Sequence, residues 1–150
     1  MRTLILGILS LVWLTGCQSD DGEMAGVKFG KTFQLGSQDE VFLTVQPAAD
    51  SLKVMVDSIS DSRCPEGAQC IWAGNAEVKL SLSKEKETQL LTLCIGDCRS
   101  GDRTGFIEQD TASVTLEGQG FQVILKDVVP YPNLDNPPTQ QEAVLEINEE

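Results

Sequence analysis

From Ala76 to Ser83 the chain reads Ala-Glu-Val-Lys-Leu-Ser-Leu-Ser, with every even-numbered residue apolar and every odd-numbered one polar. Successive side chains of an extended chain point to opposite faces, so this pattern buries one clean face only as a β-strand. The same period of two recurs along the sequence. It is seen in Val27, Phe29, Phe33 and Leu35, in Val41, Leu43 and Val45, and in Leu52, Val54 and Val56. It returns from Leu90 to Ile95, in Ala112, Val114 and Leu116, and in Phe121, Val123 and Leu125. Gly36, Pro47, Gly96, Gly101, Gly105 and Gly118-Gln119-Gly120 punctuate these runs as turns, the last reading as a hairpin. Seven or eight short strands with one buried face predict an all-β fold, a small antiparallel sandwich or barrel.

One segment is ambiguous. Thr139-Gln140-Gln141-Glu142 satisfies the capping-box pattern of a helix start, yet Ala143, Leu145 and Ile147 alternate. A closing strand is the expectation, because a chain of strands needs its last edge covered. The prolines of Pro130-Tyr131-Pro132 and Asn136-Pro137-Pro138 predict an irregular loop before it. No repeat or domain boundary follows residue 26, so residues 27–150 read as a single domain.

The N-terminus is different in kind. Arg2 precedes an apolar run of 11 residues, Leu4 to Leu14, well short of the roughly 20 that span a bilayer as a helix. Leu14-Thr15-Gly16-Cys17 follows it directly and resembles the lipobox of bacterial lipoproteins. The resemblance implies a signal peptide over residues 1–16, cleaved to leave Cys17 carrying diacylglycerol and a further acyl chain such as palmitate. In the Gram-negative lipoproteins it resembles, Asp after the Cys retains the protein in the inner membrane. Gln18 stands there, which implies a cell-envelope protein anchored in the outer membrane and facing the periplasm. Residues 17–26, polar and acidic with Asp20, Asp21 and Glu23, read as a flexible tether.

Removal of residues 1–16 costs only Arg2 among the charges, leaving 10 Lys and Arg against 23 Asp and Glu, a formal net charge of −13. Nucleic-acid phosphates and anionic headgroups repel such a domain, so no nucleic-acid partner is expected. The sequence contains no histidine, which removes the commonest general base and the commonest neutral metal ligand together. Ser-His-Asp and Cys-His constellations are thereby excluded, and no pair of carboxylates is singled out by spacing. The glycine-rich stretch from Gly96 to Gly105 lacks the ending of a phosphate loop. Asp97, Asp102, Glu108 and Asp110 do not follow an EF-hand pattern and read as solvated acids. The expectation is a non-enzyme with no cofactor and no metal site.

Of five cysteines, the lipid claims Cys17. The remaining Cys64, Cys70, Cys94 and Cys98 are an even set in an exported chain and predict two disulfides, for which three pairings exist. Cys64–Cys70 and Cys94–Cys98 are favoured, since each closes a loop containing a turn signal, Pro65-Glu66-Gly67 or Gly96-Asp97. Each contributes roughly 2 kcal/mol by loop entropy, while a Cys70–Cys94 bridge would contribute roughly 3.5, so thermodynamics leaves cross-pairing open. The alternatives are a redox-active pair and a thiolate site for zinc or copper(I). The C-x5-C and C-x3-C spacings fit neither thioredoxin-like motifs nor zinc ribbons well.

The most distinctive stretch is Asp61-Ser62-Arg63-Cys64-Pro65, then Cys70-Ile71-Trp72-Ala73-Gly74. It is similar to a signature of small bacterial lipoproteins without an assigned activity, and the likeness extends loosely to a late strand leading into Pro130-Tyr131-Pro132. The likeness implies location and architecture. Physically, Pro65 and Gly67 suit a stapled turn, Trp72 is expected to cover the sulfurs, and Gly74 to relieve crowding before the next strand. Arg63 has Asp57 or Asp61 within reach as a partner. Two readings stand: a structural corner of the sheet, or a binding rim of Arg63, Glu66, Gln69 and Trp72 for an envelope protein or small ligand. The expected function is a lipid-anchored, non-catalytic binding or structural module; the alternative is a thiolate metal-binding or thiol-redox envelope protein.

Overall fold

Residues 26–44, 51–99 and 105–150 are described by the structure, a computed structural model. The expected signal peptide, Cys17, the tether up to residue 25, Val45, Pro47 and Gly101 lie outside the described residues. The alternating runs become nine strands: β1 (Thr32–Gly36), β2 (Glu40–Thr44), β3 (Ser51–Asp61), β4 (Asn75–Lys84), β5 (Glu87–Cys98), β6 (Gly105–Ile107), β7 (Asp110–Leu116), β8 (Gln119–Val129) and β9 (Glu142–Glu149). They form two antiparallel sheets, one ordered β1-β9-β8-β7 and the other β2-β3-β4-β5-β6. The all-β reading holds, and the architecture is a sandwich. The contested last segment is a strand, but it is not at an edge. It lies between β1 and β8 and pairs with both, so its whole backbone is satisfied as strand and the capping-box signal is overridden.

Inward residues of both sheets make one core. Val54 and Val56 of β3, Val78, Leu80 and Leu82 of β4, and Leu93 of β5 meet Phe121, Val123 and Leu125 of β8 and Leu145 and Ile147 of β9. Two bulges interrupt the alternation. In β3 the register shifts between Val56 and Ser58, and in β8 between Leu125 and Asp127. An extra residue would turn the following inward positions outward. The sequence compensates by stepping three rather than two, from Val56 to Ile59 and from Leu125 to Val128, so apolar side chains stay against the core.

The sandwich has two unlike ends. β3 runs from Ser51 to Asp61, and at the Asp61 end it meets the start of β4, the close of β5, β6 and the end of β8. The loops 62–74 and 130–141 and the four described cysteines are at this end. At the opposite end lie the hairpins joining β4 to β5 and β7 to β8, the C-terminus, and Val27, which bridges to Leu43. Gly26 and Val27, the first described residues, therefore stand at the end away from the four described cysteines.

Candidate functional site

The inward series of β3 ends on charge. Beyond Ile59 the next inward positions are Asp61, whose side chain is 1% exposed, and Arg63. Arg63 Nη2 lies 2.7 Å from Asp61 Oδ2, and its Nε is 3.0 and 3.1 Å from the two Asp61 oxygens. Nη1 reaches Asp127 Oδ1 at 3.2 Å, and Nη2 also donates to the Val128 carbonyl at 2.5 Å. The guanidinium lies over the ring of Tyr131, 4.4 Å from its centroid. β7 pairs with β8 only as far as Leu125, so Arg63 supplies donors to a strand end that β7 has left. Gln141 Nε2 completes the cluster, donating to Asp61 at 2.7 Å and to the Pro130 carbonyl at 3.1 Å.

Burial acts to lower the pKa of the Arg63 guanidinium, but hydrogen bonds and charge from Asp61, then Asp127, outweigh it and raise the value above the ordinary one. Arg63 is thus permanently charged, and a desolvated charge holds its place only because its fork is met by carboxylates and a carbonyl. Two segments far apart in sequence, Asp61-Ser62-Arg63 and Pro130-Tyr131-Pro132, belong to this single cluster.

Both disulfides stand beside it. Cys64 is bonded to Cys70 and Cys94 to Cys98, the pairing favoured from the turn signals. The second is buried, with the Cys94 amide donating to Asp110 Oδ2 at 2.8 Å. The two staples touch through glycines. Gly74 has φ +72°, and a Cβ on it would stand 2.0 Å from the Ser62 carbonyl oxygen. Gly96 has φ +92°, and a Cβ there would stand 2.6 Å from the Gly74 oxygen. No side chain fits either place, so the W-A-G glycine does relieve crowding as its position before β4 suggested. The 64–70 loop is also clamped to the proline loop: Glu66 N donates to the Pro132 carbonyl at 2.9 Å, and Leu134 N to the Glu66 carbonyl at 3.0 Å.

The expected binding rim is rearranged. Arg63 is 7% exposed and faces inward, bonded to Asp61 and Asp127 and not to Asp57, which instead accepts from Ser81. Trp72, expected to cover the sulfurs, is 48% exposed. Glu66 and Gln69 are exposed. Of the rim residues, Glu66, Gln69 and Trp72 are therefore surface groups, while Arg63 fixes the loops that carry them. Asp127, Tyr131, Gln141 and Phe106 were not found from the sequence. The available signal was a charge in inward phase at Asp61, which calls for an opposite charge from another strand, but the strand was not specified.

What the end presents to solvent is apolar. Six large apolar side chains are exposed among the described residues, and five of them are here: Ile71, Trp72, Phe106, Tyr131 and Leu134. Only Leu90 is elsewhere. Between β6 and the end of β8 an open cleft of about 310 Å³ has Phe106 and Tyr131 among its walls, Gly74 and Gly96 along it, and two acids, Glu108 and Asp127, beside two bases, Arg63 and Lys126. A second cleft of about 320 Å³, polar, runs from Gly36 and Asp39 to residues 138–142. Among the described residues no group of three His, Cys, Asp or Glu is arranged to hold a metal ion, and oxidised cysteines offer no thiolate ligand in this form. The arrangement is a disulfide-stapled end with a partly apolar exposed surface. Comparison with protein-family models, with curated proteins and with solved structures finds no match to this chain.

Proposed function

We propose that this protein is a lipid-anchored, non-catalytic binding module of the bacterial cell envelope, acting through its disulfide-stapled end. One observation carries the reading: among the described residues, five of the six exposed large apolar side chains gather at the end of the sandwich held by two disulfides and the buried Arg63 cluster, four on loops and Phe106 on β6. Exposed apolar groups held rigidly lose little entropy on binding and are the usual anchors of recognition. The Leu14-Thr15-Gly16-Cys17 lipobox supports lipidation at Cys17, and Gln18 supports the outer membrane. With the tether entering at the far end, β3 of 11 residues sets the stapled end about 35 Å beyond the point of attachment. The anchored module then offers Ile71 and Trp72 to the periplasm.

The test takes place in intact cells with the full chain. Cys17→Ser should leave the protein unlipidated and release it from the membrane fraction; equal membrane partitioning would sink the anchor assignment. Photoreactive side chains at Ile71 and Phe106 should capture a partner, whereas one at Leu90 should not. Capture at Leu90 alone would move the binding surface to the open flank of β5 and defeat the assignment of this end.

A further inference from the structure

The two ends differ in charge as well as in apolar surface. At the stapled end Glu66, Glu108 and Asp135 are exposed, and the Asp127 side chain is 52% exposed. The described basic residues at this end are Arg63, Arg99 and Lys126, and all are paired: Arg63 with Asp61 and Asp127, Arg99 with Asp97 at 2.7 Å, and Lys126 with Glu146. Residues 100–104 add one acid and one base, leaving the balance unchanged. At the opposite end the excess of acid is smaller, with Lys28, Lys31, Lys84 and Lys86 against Glu85, Glu87, Glu117, Glu149 and Glu150. An excess of exposed carboxylates thus surrounds the exposed Ile71, Trp72, Phe106, Tyr131 and Leu134.

This juxtaposition selects an occupant. A second copy would bring an acidic rim against an acidic rim, and anionic headgroups or a nucleic acid would be repelled for the same reason. The chain's own tether cannot reach. The eight residues between Cys17 and Gly26 extend at most about 28 Å, and the domain is about 35 Å long. A protein surface with apolar side chains among lysines and arginines satisfies both features. Its apolar groups meet the loop side chains and the walls of the 310 Å³ cleft, and its cations meet Glu66, Glu108, Asp127 and Asp135. Resting on the reading of this end as the binding surface, we infer that the partner is a protein whose contact segment is basic and apolar, with apolar side chains meeting Phe106 and Tyr131 at the cleft and cationic ones meeting the exposed Glu66, Glu108 and Asp135 around it. Arg63 and Lys126 line the cleft itself, so the partner's cations belong at the exposed carboxylates around it and its apolar groups against the aromatic walls.

The experiment uses the full chain in intact cells, with a photoreactive phenylalanine analogue at Ile71, at Phe106 and at Leu90. It is repeated with Glu66→Lys, Glu108→Lys and Asp135→Lys combined, all at exposed positions. Mass spectrometry identifies the captured peptides. The expected result is protein adducts at Ile71 and Phe106 whose contact peptides carry Lys or Arg beside apolar residues. Charge reversal should cut their yield at least about fivefold, as reversed rim charges slow association, with the melting temperature unchanged. If the triple variant melts lower, Glu108→Gln with Asp135→Asn takes its place and should lower the yield in the same direction. Adducts that persist at full yield after reversal, or contact peptides without net positive charge, overturn the inference and leave the stapled end standing as the binding surface. Adducts with lipid or with a second copy of this chain do the same. Capture at Leu90 alone, or at none of the three positions, overturns the binding surface itself and the inference with it.

Discussion

Arg63 is where the chemistry of single residues decides most. An arginine beside a cysteine-stapled turn reads in sequence as a surface cation, because Arg is rarely buried without a partner. The partners come from Asp61, two residues before it, and from Asp127 on the other sheet. Only the first is visible locally. Removing the guanidinium leaves Asp61 buried and uncompensated, so Arg63→Ala should cost about 3 kcal/mol in urea unfolding. Arg63→Lys should recover little of it, since an ammonium cannot bridge two carboxylates and a carbonyl at once. Trp72→Ala, at a half-exposed side chain, should cost less than about 1 kcal/mol. A larger loss at Trp72 than at Arg63 would mean that the loop packs the other way round.

Glu146 offers a measurement at the same scale. Hydrogen bonds from Lys126 and then Asn148, with the Lys126 charge, hold its carboxyl below the ordinary value of 4.5. A lowered folded pKa means that this group favours the folded state above the ordinary carboxylate range, and that the benefit disappears as pH falls through the lowered value. Melting temperatures of the native chain and Glu146→Gln should therefore differ at pH 7 and converge as pH is taken progressively below 4.5. A gap that stays constant with pH would show that the Lys126–Glu146 pair contributes no pH-dependent stability.

At the scale of elements, the strands with strict alternation were legible because a half-buried sheet face leaves its period in the sequence. The hairpins were legible only in part. Gly118 to Gly120 marks the β7–β8 turn, but no glycine or proline marks the turn between Lys84 and Glu87 that joins β4 to β5. Glu85 and Glu117 take positive φ there, 50° and 48°. Glutamate has no preference for that region, whereas Asn does, and an Asn-Gly pair suits a two-residue hairpin. Glu117→Asn should therefore raise stability by about 0.5–1 kcal/mol in thermal unfolding, since the Glu87 carboxylate bonds the backbone amide and not the side chain. A lower melting temperature would show that the Glu117 side chain matters in its own right. The bulges were the least legible feature. A three-residue step between apolar positions is also what a loop produces, and only the continuous pairing of β3 with β4 and of β8 with β9 distinguishes them.

For the whole molecule, the distribution of restraints matters more than their number. Both disulfides, the Arg63 cluster and the crossing of Gly74 with Gly96 are at one end of the sandwich, where the long loops are. The core between the sheets needs none of them. Replacing Cys64 and Cys70 by alanine should cost roughly 2 kcal/mol by loop entropy. Hydrogen exchange should quicken at Cys64 and Leu134, while Val78 and Val123 in the core exchange in step with global unfolding. Uniform acceleration across the chain would instead make this staple part of the cooperative core.

The sequence by itself determined the period of the alternating runs and the sheet-only composition of the fold, because each depends on residues a few positions apart; it favoured the pairing of nearby cysteines but left cross-pairing open until the strands were placed. Tertiary structure alone decided that β9 lies inside its sheet, that Asp127 and Tyr131 close around Arg63, and that Phe106 and Trp72 share one exposed end. Those outcomes depend on which strands become neighbours. Side-chain alternation says which face of a strand is buried, but it leaves open which strand lies alongside it.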